Sequence, residues 1–259
     1  MKIKFIGVGS AFTTPDYYQP NILITARTGK KLLLDCGSDA RFALAECNIN
    51  GYNVGEAIDA VYISHLHADH IGGLEWLAFS TFFNPMHKKP MLFIEEQTML
   101  ELWEQCLKGG LGRIEGKMMH LTDYFECHSL AKDGTFSWEG LQATLVKMPH
   151  VITGYSNHYS YGLLLKEDDG PSVFITTDTQ FQPDLIADMA QKADIIYHDC
   201  ETTPFNTPVH AHYNELKTLS PTLKQKMWLY HYQPQPDYNP EADGFKGFVV
   251  KGQEFEFSA

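Results

Sequence analysis

Three imidazoles and a carboxylate crowd one short stretch of the chain, His65, His67, Asp69 and His70, inside the segment SHLHADHIGG that follows the apolar run AVYI. Imidazole nitrogen and carboxylate oxygen are the donors zinc prefers, and they also serve manganese or iron. Side chains two apart at a strand end point the same way, so His65 and His67 can share one cation. Asp69 and His70, one turn later, then face a second position. Four donors do not complete two sites, and the same residue types recur just after later apolar runs. His150 closes TLVKMPH, Asp178 closes VFITTD and His231 closes MWLYH. A pair of divalent cations can lower the pKa of water from about 15.7 toward roughly 7. The chemistry implied is hydrolysis.

These donors must be carried by elements that end at one place. Short β-branched and apolar runs bounded by turn residues predict strands over 2–7, 21–26, 31–35 and 60–64. Helical spacing predicts helices over 39–47 and 71–82, the second entered straight from the histidine-rich turn. The theme repeats with MLFIEE as a strand, 96–108 as a helix, and GGLGRIEG at 109–116 as a mobile loop. From 141 onward LQATLVKM, SYGLLLKE, PSVFITTD and ADIIYHD read as strands, 212–226 as a helix and KMWLYHY as a late strand. No linker or low-complexity segment divides the chain. The expectation is one domain over 1–259, an αβ/βα sandwich of the α/β class.

Composition narrows the partners. With 20 Lys plus Arg against 32 Asp plus Glu the net charge is −12, and no basic block interrupts it. A long polyanion is repelled on average, which argues against extended nucleic acid, whereas cations in a pocket can still attract a small anion. Five cysteines, Cys36, Cys47, Cys106, Cys127 and Cys200, are odd in number and form no CxxC pair, so neither a disulfide framework nor a thiolate zinc knuckle is expected. No apolar run approaches the roughly 18 residues of a membrane span. A cytoplasmic protein with no membrane contact is the expectation. Of the twelve histidines, His87, His120, His128 and His198 are given no role.

Several stretches in order, KFIGVGSAFTTP, LLLDCG, SHLHADHIGGL, MPH, SYGLLL, TTDT, ADIIYHDC and LYHY, resemble the RNase Z branch of the metallo-β-lactamase superfamily over nearly the whole chain. The resemblance implies two mixed sheets face to face with helices outside. It further implies one metal held by His65, His67 and His150, a second by Asp69, His70 and His231, and Asp178 bridging them, with two Zn²⁺ (or Mn²⁺ or Fe) as cofactors. Asp35 in LLLDCG would orient a ligand histidine by hydrogen bonding. Asp69 would also accept the proton of the attacking water. An acid in the DIIYHD strand partners a later histidine in this branch, and here Asp199 and His212 stand at those positions, with His210 a nearby competitor. Where the family usually has Glu and a HST motif, this chain has Asp199 and His212-Tyr213-Asn214.

RNase Z proteins that mature tRNA insert a protruding arm between the positions matching His150 and Asp178, but only 27 residues separate them here. Armless relatives that this chain resembles include cyclic-nucleotide phosphodiesterases of the anti-Pycsar type, which destroy cyclic CMP and cyclic UMP, and cyclic-phosphate hydrolases of phosphonate breakdown. The reading is a small-molecule phosphodiesterase. The alternatives are an RNase Z-type RNA 3′-processing nuclease, a hydrolase of another cyclic phosphate, and a β-lactamase or thioesterase-like hydrolase. After His150, Tyr155, Asn157, His158 and Tyr159 are types that stack on a base or bind a phosphate. The branch is commonly homodimeric, and Arg113 and Lys117 in the Gly-rich stretch are placed to reach a partner's pocket.

Overall fold

The computed structural model describes residues 1–86 and 88–257; His87 lies outside them. The strands are β1 (Lys2–Phe5), β2 (Ile22–Thr25), β3 (Lys31–Leu34), β4 (Ala60–Ile63), β5 (Met91–Glu95), β6 (Arg113–Ile114), β7 (Lys117–Met118), β8 (Glu126–Leu130), β9 (Thr135–Trp138), β10 (Leu141–Ile152), β11 (Asn157–Lys166), β12 (Val173–Ile175), β13 (Ile195–Asp199), β14 (Met227–Tyr230), β15 (Gly247–Phe248) and β16 (Glu254–Glu256). They form two seven-stranded sheets, ordered β16-β1-β2-β3-β4-β5-β8 and β15-β14-β13-β12-β11-β10-β9, plus the small hairpin β6-β7.

Period-two burial explains how the sheets meet. In β1, Ile3 and Phe5 are buried while Lys2 and Lys4 are half-buried, and in β9 Phe136 and Trp138 are buried while Thr135 and Ser137 are exposed. The inward residues of both sheets share one apolar core, in which Phe5 of the first sheet packs its ring on Tyr197 and Tyr230 of the second at 4.8 and 5.4 Å. Such ring pairs add about 0.5–1.5 kcal/mol beyond the area they bury. Strand β4 is buried at all four positions because its outer face is also covered, by the helices Ala40–Glu46 and Leu74–Phe82. A third cluster packs the helix Pro183–Met189 and its neighbours on the outer face of the second sheet. The layers are therefore helices, sheet, sheet, helices.

The long elements match the expected ranges to within a few residues, and the departures have local causes. The helix expected over 71–82 is two, Ala68–Ile71 and Leu74–Phe82, divided at Gly72-Gly73. The helix expected over 212–226 is also two, Tyr213–Leu216 and Pro221–Lys224, because Pro221 cannot continue a helix and starts a new one behind Ser220. The stretch 109–116 is not a featureless loop. Its first residues finish a helix at Leu111, and Arg113 to Met118 form the β6-β7 hairpin around Gly116, whose φ is +75°. Among the described residues no helix is long and apolar enough to cross a membrane.

Asp59, just ahead of β4, ties the start of the parallel strands together. Its carboxylate accepts from Lys30 Nζ at 2.9 Å, from the Lys31 amide at 3.0 Å and from Lys88 Nζ. Burial pushes this carboxyl up, but the three donors outweigh it and hold it below its ordinary value. Its contribution to stability is present above the ordinary carboxylate pKa and is lost as pH falls through the lowered one. Asp59→Asn is expected to cost about 1 kcal/mol in urea unfolding at neutral pH. The gap to wild type should shrink below about pH 4; a gap that persists there would show that charge plays no part.

Candidate metal centre

The seven sequence-predicted metal ligands come from both sheets: His65 and His67 follow β4, Asp69 and His70 lie in the short helix Ala68–Ile71 after it, His150 lies within β10, and Asp178 and His231 follow β12 and β14. In the first sheet β3 and β4 run parallel, and Asp35 and Ser64 lie just past their carboxyl ends. In the second, β12, β13 and β14 run parallel and deliver Asp178, Asp199 and His231 at theirs. His150 arrives differently. The β10-β11 register slips between Pro149 and Val151, leaving His150 as the extra residue of a bulge that re-aims its side chain. Three non-glycine residues here adopt left-handed backbone: Asp35 (φ +60°), Thr177 (φ +53°) and His231 (φ +64°). Such conformations cost of order 1–3 kcal/mol each and persist where surrounding contacts impose them. Close approach also matters, since a Cβ on Gly37 would lie 2.1 Å from the Asp69 carbonyl oxygen.

Two sets of donors converge. His65 Nε2 and His150 Nε2 lie 3.1 and 3.0 Å from His67 Nδ1, and Asp178 Oδ2 lies 3.6 and 3.7 Å from His65 Nε2 and His150 Nε2. In the second set His70 Nε2 and His231 Nε2 are each 3.4 Å from Asp69 Oδ2, and 3.2 and 3.5 Å from Asp178 Oδ1. Donors at zinc-ligand distance on a tetrahedron stand roughly 3.3 Å from one another. Each set fits one cation, and Asp178 offers one oxygen to each. The other ring nitrogens are occupied: His70 Nδ1 by Asp35 Oδ2 at 2.7 Å, His65 Nδ1 by Ser64 Oγ at 3.0 Å and His150 Nδ1 by the Val209 carbonyl at 2.8 Å. These contacts fix which nitrogen faces the centre. His70 Nε2 and Asp178 Oδ1, both buried, have no hydrogen-bond partner among the described residues.

Charge tells the same story. Burial, reinforced by neighbouring imidazoles, pushes His65 and His150 down and His67 down to about 4, so these rings are neutral and free to ligate. Burial also opposes the charge on His70 and His231, yet Asp178 and the other carboxylates reverse that and hold both well above the usual value. Asp69 is pushed up by burial and pulled far below its ordinary value by His70 and His231. The second set thus demands positive charge, which protons or a metal cation can supply.

The sequence expectation that Asp199 pairs with His212 is not met. His212 is buried and caps the helix Tyr213–Leu216, its Nδ1 accepting from the Asn214 amide at 3.1 Å and its Nε2–H donating to the Thr203 carbonyl at 2.8 Å. A side chain spent on a helix N-terminus cannot also face the centre. His210, two residues earlier in the bend before the helix, takes the place. Its Nδ1 is 2.8 Å from Asp199 Oδ2, and its ring stacks on His231 at 4.8 Å and lies 5.1 Å from His150. The signal was in the chain: Glu215 three residues after His212 completes a capping box. Asp199 also receives the Thr179 amide at 2.9 Å and faces His231 Nδ1 at 3.2 Å. Burial raises this carboxyl, but His210 and His231 bring it down to about 2. Burial lowers His210 in turn, and Asp199 and Asp178 lift it above its ordinary value.

The four residues singled out after His150 divide. Tyr155 is fully exposed at the tip of the β10-β11 hairpin, away from the donors, while the His158 ring stacks on His67 at 5.0 Å and Asn157 donates to the Tyr159 hydroxyl at 3.2 Å. Lys117 is paired with Asp123 at 2.9 Å, and Arg113 is exposed on β6.

The fold resembles that of the metallo-β-lactamase fold protein YhfI from Bacillus subtilis (TM-score 0.73, 17% identity, 98% of each chain) and human tRNase Z, short form (TM-score 0.70, 15% identity, 100% of each chain). In sequence, the anti-Pycsar protein Apyc1 of Paenibacillus harenae is 33% identical over 261 residues, spanning 99% of this chain and 100% of its own. The Apyc1 of Bacillus phage vB_BveM-Goe7 is 30% identical, over 98% of this chain and 97% of its own. The family model described as Anti-Pycsar protein Apyc1 matches residues 1–255. The chain therefore belongs to the anti-Pycsar Apyc1 family, on the metallo-β-lactamase fold, with a His/Asp centre of the kind a metal-dependent hydrolase uses.

Proposed function

We propose that this hydrolase is a dinuclear zinc phosphodiesterase whose substrate is a 3′,5′-cyclic nucleotide of the cyclic CMP or cyclic UMP kind. The observation that carries the reading is the His210-Asp199 pair over the two donor sets. Opening a cyclic phosphodiester expels a ribose oxygen as an alkyl alkoxide, which needs a proton, whereas a β-lactam or thioester hydrolase has no call for a further histidine paired with a buried carboxylate. His65, His67, His150 and Asp178 would hold one zinc, and Asp69, His70, His231 and Asp178 the other. Bound there, the cations supply Lewis-acid stabilisation of charge on phosphate oxygens and lower the pKa of water.

The chain's own residues do the rest. Asp69, kept ionised, accepts a proton from the attacking water, and Asp178 holds the two donor sets at a set spacing. Asp199 orients His210 through Nδ1, which leaves Nε2–H to protonate the departing oxygen. Small substrates are favoured over RNA for two reasons. The segment from His150 to Asp178 is filled by the β10-β11 hairpin turn, β11 and the turn into β12, with no arm between them, and the net charge is −12. A cytoplasmic setting, in keeping with five unpaired cysteines, and a homodimer in which the β6-β7 hairpin lies near the other copy's centre complete the proposal.

His210→Ala is expected to slow hydrolysis of a cyclic nucleotide by roughly 10²–10⁴-fold while sparing bis-nitrophenyl phosphate, whose leaving group departs without a proton. Equal losses on both substrates would remove the acid role. His212→Ala, by contrast, should cost about 1 kcal/mol of stability as a lost cap and leave the ratio of the two activities unchanged. Chelation should abolish turnover and lower stability by about 4 kcal/mol relative to protein in a thousandfold excess of metal over its dissociation constant. Metal analysis should find two zinc ions per chain, and one in His150→Ala; retention of full activity after exhaustive chelation would exclude metal chemistry.

A further inference from the structure

Beside the centre lies a notch. It encloses about 90 Å³ between the start of the helix Glu96–Glu101 and the start of β11 and is open to solvent, and its floor includes Leu66, between His65 and His67. One wall is His158 and Tyr159; the other is Glu95, Gln97, Thr98 and Glu101. Glu95 is buried and pinned, its Oε2 accepting from the Thr98 amide and hydroxyl at 2.8 Å each. Glu101, half-buried, accepts from Gln97 Nε2 at 2.8 Å through Oε1 only. His158 Nε2, buried, has no hydrogen-bond partner among the described residues. Directly after Glu101 the helix widens into a six-residue π-helix, Leu102–Leu107, a form that is rare and frequently found at functional sites.

The chemistry of the walls selects a ligand. Two carboxylates and no Lys or Arg line the notch, so it repels a phosphate and suits a neutral group that donates hydrogen bonds. Lys147 Nζ covers one face of the Tyr159 ring at 3.5 Å and His67 one face of His158, and what remains of these two rings in the notch suits the edge or face of a flat ring. Since His158 both lines the notch and stacks on the metal-site residue His67, a single imidazole separates it from the place where phosphate would sit. We infer that the notch receives the base of a nucleotide whose phosphate occupies the metal centre, and that the acidic wall, chiefly Glu101, prefers bases carrying an exocyclic amino group over uracil. A carboxylate accepts from an amino group but faces the uracil 4-carbonyl as one acceptor against another, which leaves both unpaired. The inference rests on the nucleotide reading above and adds its base preference.

The test is equilibrium binding of cytidine 5′-monophosphate and uridine 5′-monophosphate to the zinc-loaded protein by calorimetry. The two share sugar and phosphate, so the ratio of their dissociation constants reads the base alone. The wild-type protein should bind the cytidine nucleotide roughly tenfold or more tightly than the uridine one. Glu101→Gln, whose amide can turn either face to the base, should bring the ratio close to one. Equal binding by the wild type overturns the inference whether or not the variant folds, and so does a ratio that survives in Glu101→Gln. Discrimination without hydrolysis of any cyclic nucleotide would keep the notch and discard the phosphodiesterase reading, whereas hydrolysis of cyclic CMP and cyclic UMP with no difference in binding would do the reverse.

Discussion

Four carboxylates, Asp35, Asp69, Asp178 and Asp199, are at most 5% exposed, and among the described residues the side chains within ion-pair distance of them are imidazoles. Ionised carboxylates so far from water are tolerated only if positive charge is brought to them. The histidines divide around this requirement: His70 and His231, each facing Asp69 and Asp178, are shifted toward the charged form, while His65, His67 and His150, which share one another's company and a single oxygen of Asp178, are shifted toward the neutral one. A cation at each donor set would satisfy both halves of the arrangement at once.

Meeting it takes both sheets. Donors from β4 and the turn after it must face donors from β10, β12 and β14, and the ends of the sandwich are accordingly laced together. Tyr62 Oη donates to the Tyr161 carbonyl at 2.7 Å and the Tyr161 amide to the Ser64 carbonyl at 3.1 Å, which joins the sheets next to the histidine turn. The His231 amide donates to the Val8 carbonyl at 2.7 Å, so the left-handed residue that closes β14 is tied to the end of β1. Strain at Asp35, Thr177 and His231 is supported by this lacing. The shared core beneath, with rings such as Phe5, Tyr197 and Tyr230, makes the ends rigid enough to carry it.

Asp199 links two imidazoles of the site: one oxygen faces His231 and the other holds His210, so the same carboxylate orients a ring of the second donor set and the ring stacked on it. Its side chain is one methylene shorter than the glutamate usual in the RNase Z branch. With β13 parallel to β14, its position at the end of β13 places it beside His231 at the end of the neighbouring strand. The acidic wall of the adjoining notch extends the logic outward: with cations at the two donor sets, positive charge would stand at the centre and negative charge beside it, the complement of a nucleotide's phosphate and amino-bearing base.

Much of this was written locally. The His65 to His70 turn, the strands that precede it and follow it, and the donors at strand ends could be read directly because alternation of apolar residues and the offset of two or four positions are properties of a few consecutive residues. Other features depended on where distant segments meet. His150 reaches the centre through a one-residue slip between β10 and β11, which no run of residues announces. His210 rather than His212 faces Asp199 because the helix begins at Tyr213, and the capping box that signals it gains meaning only when the strand bearing Asp199 lies alongside. The notch exists because the helix after β5 stands opposite the start of β11. Sequence determines which groups a segment can offer and how they repeat along it. Register, caps and the packing of one sheet on another decide which of them share a volume, because those are contacts between residues far apart in the chain.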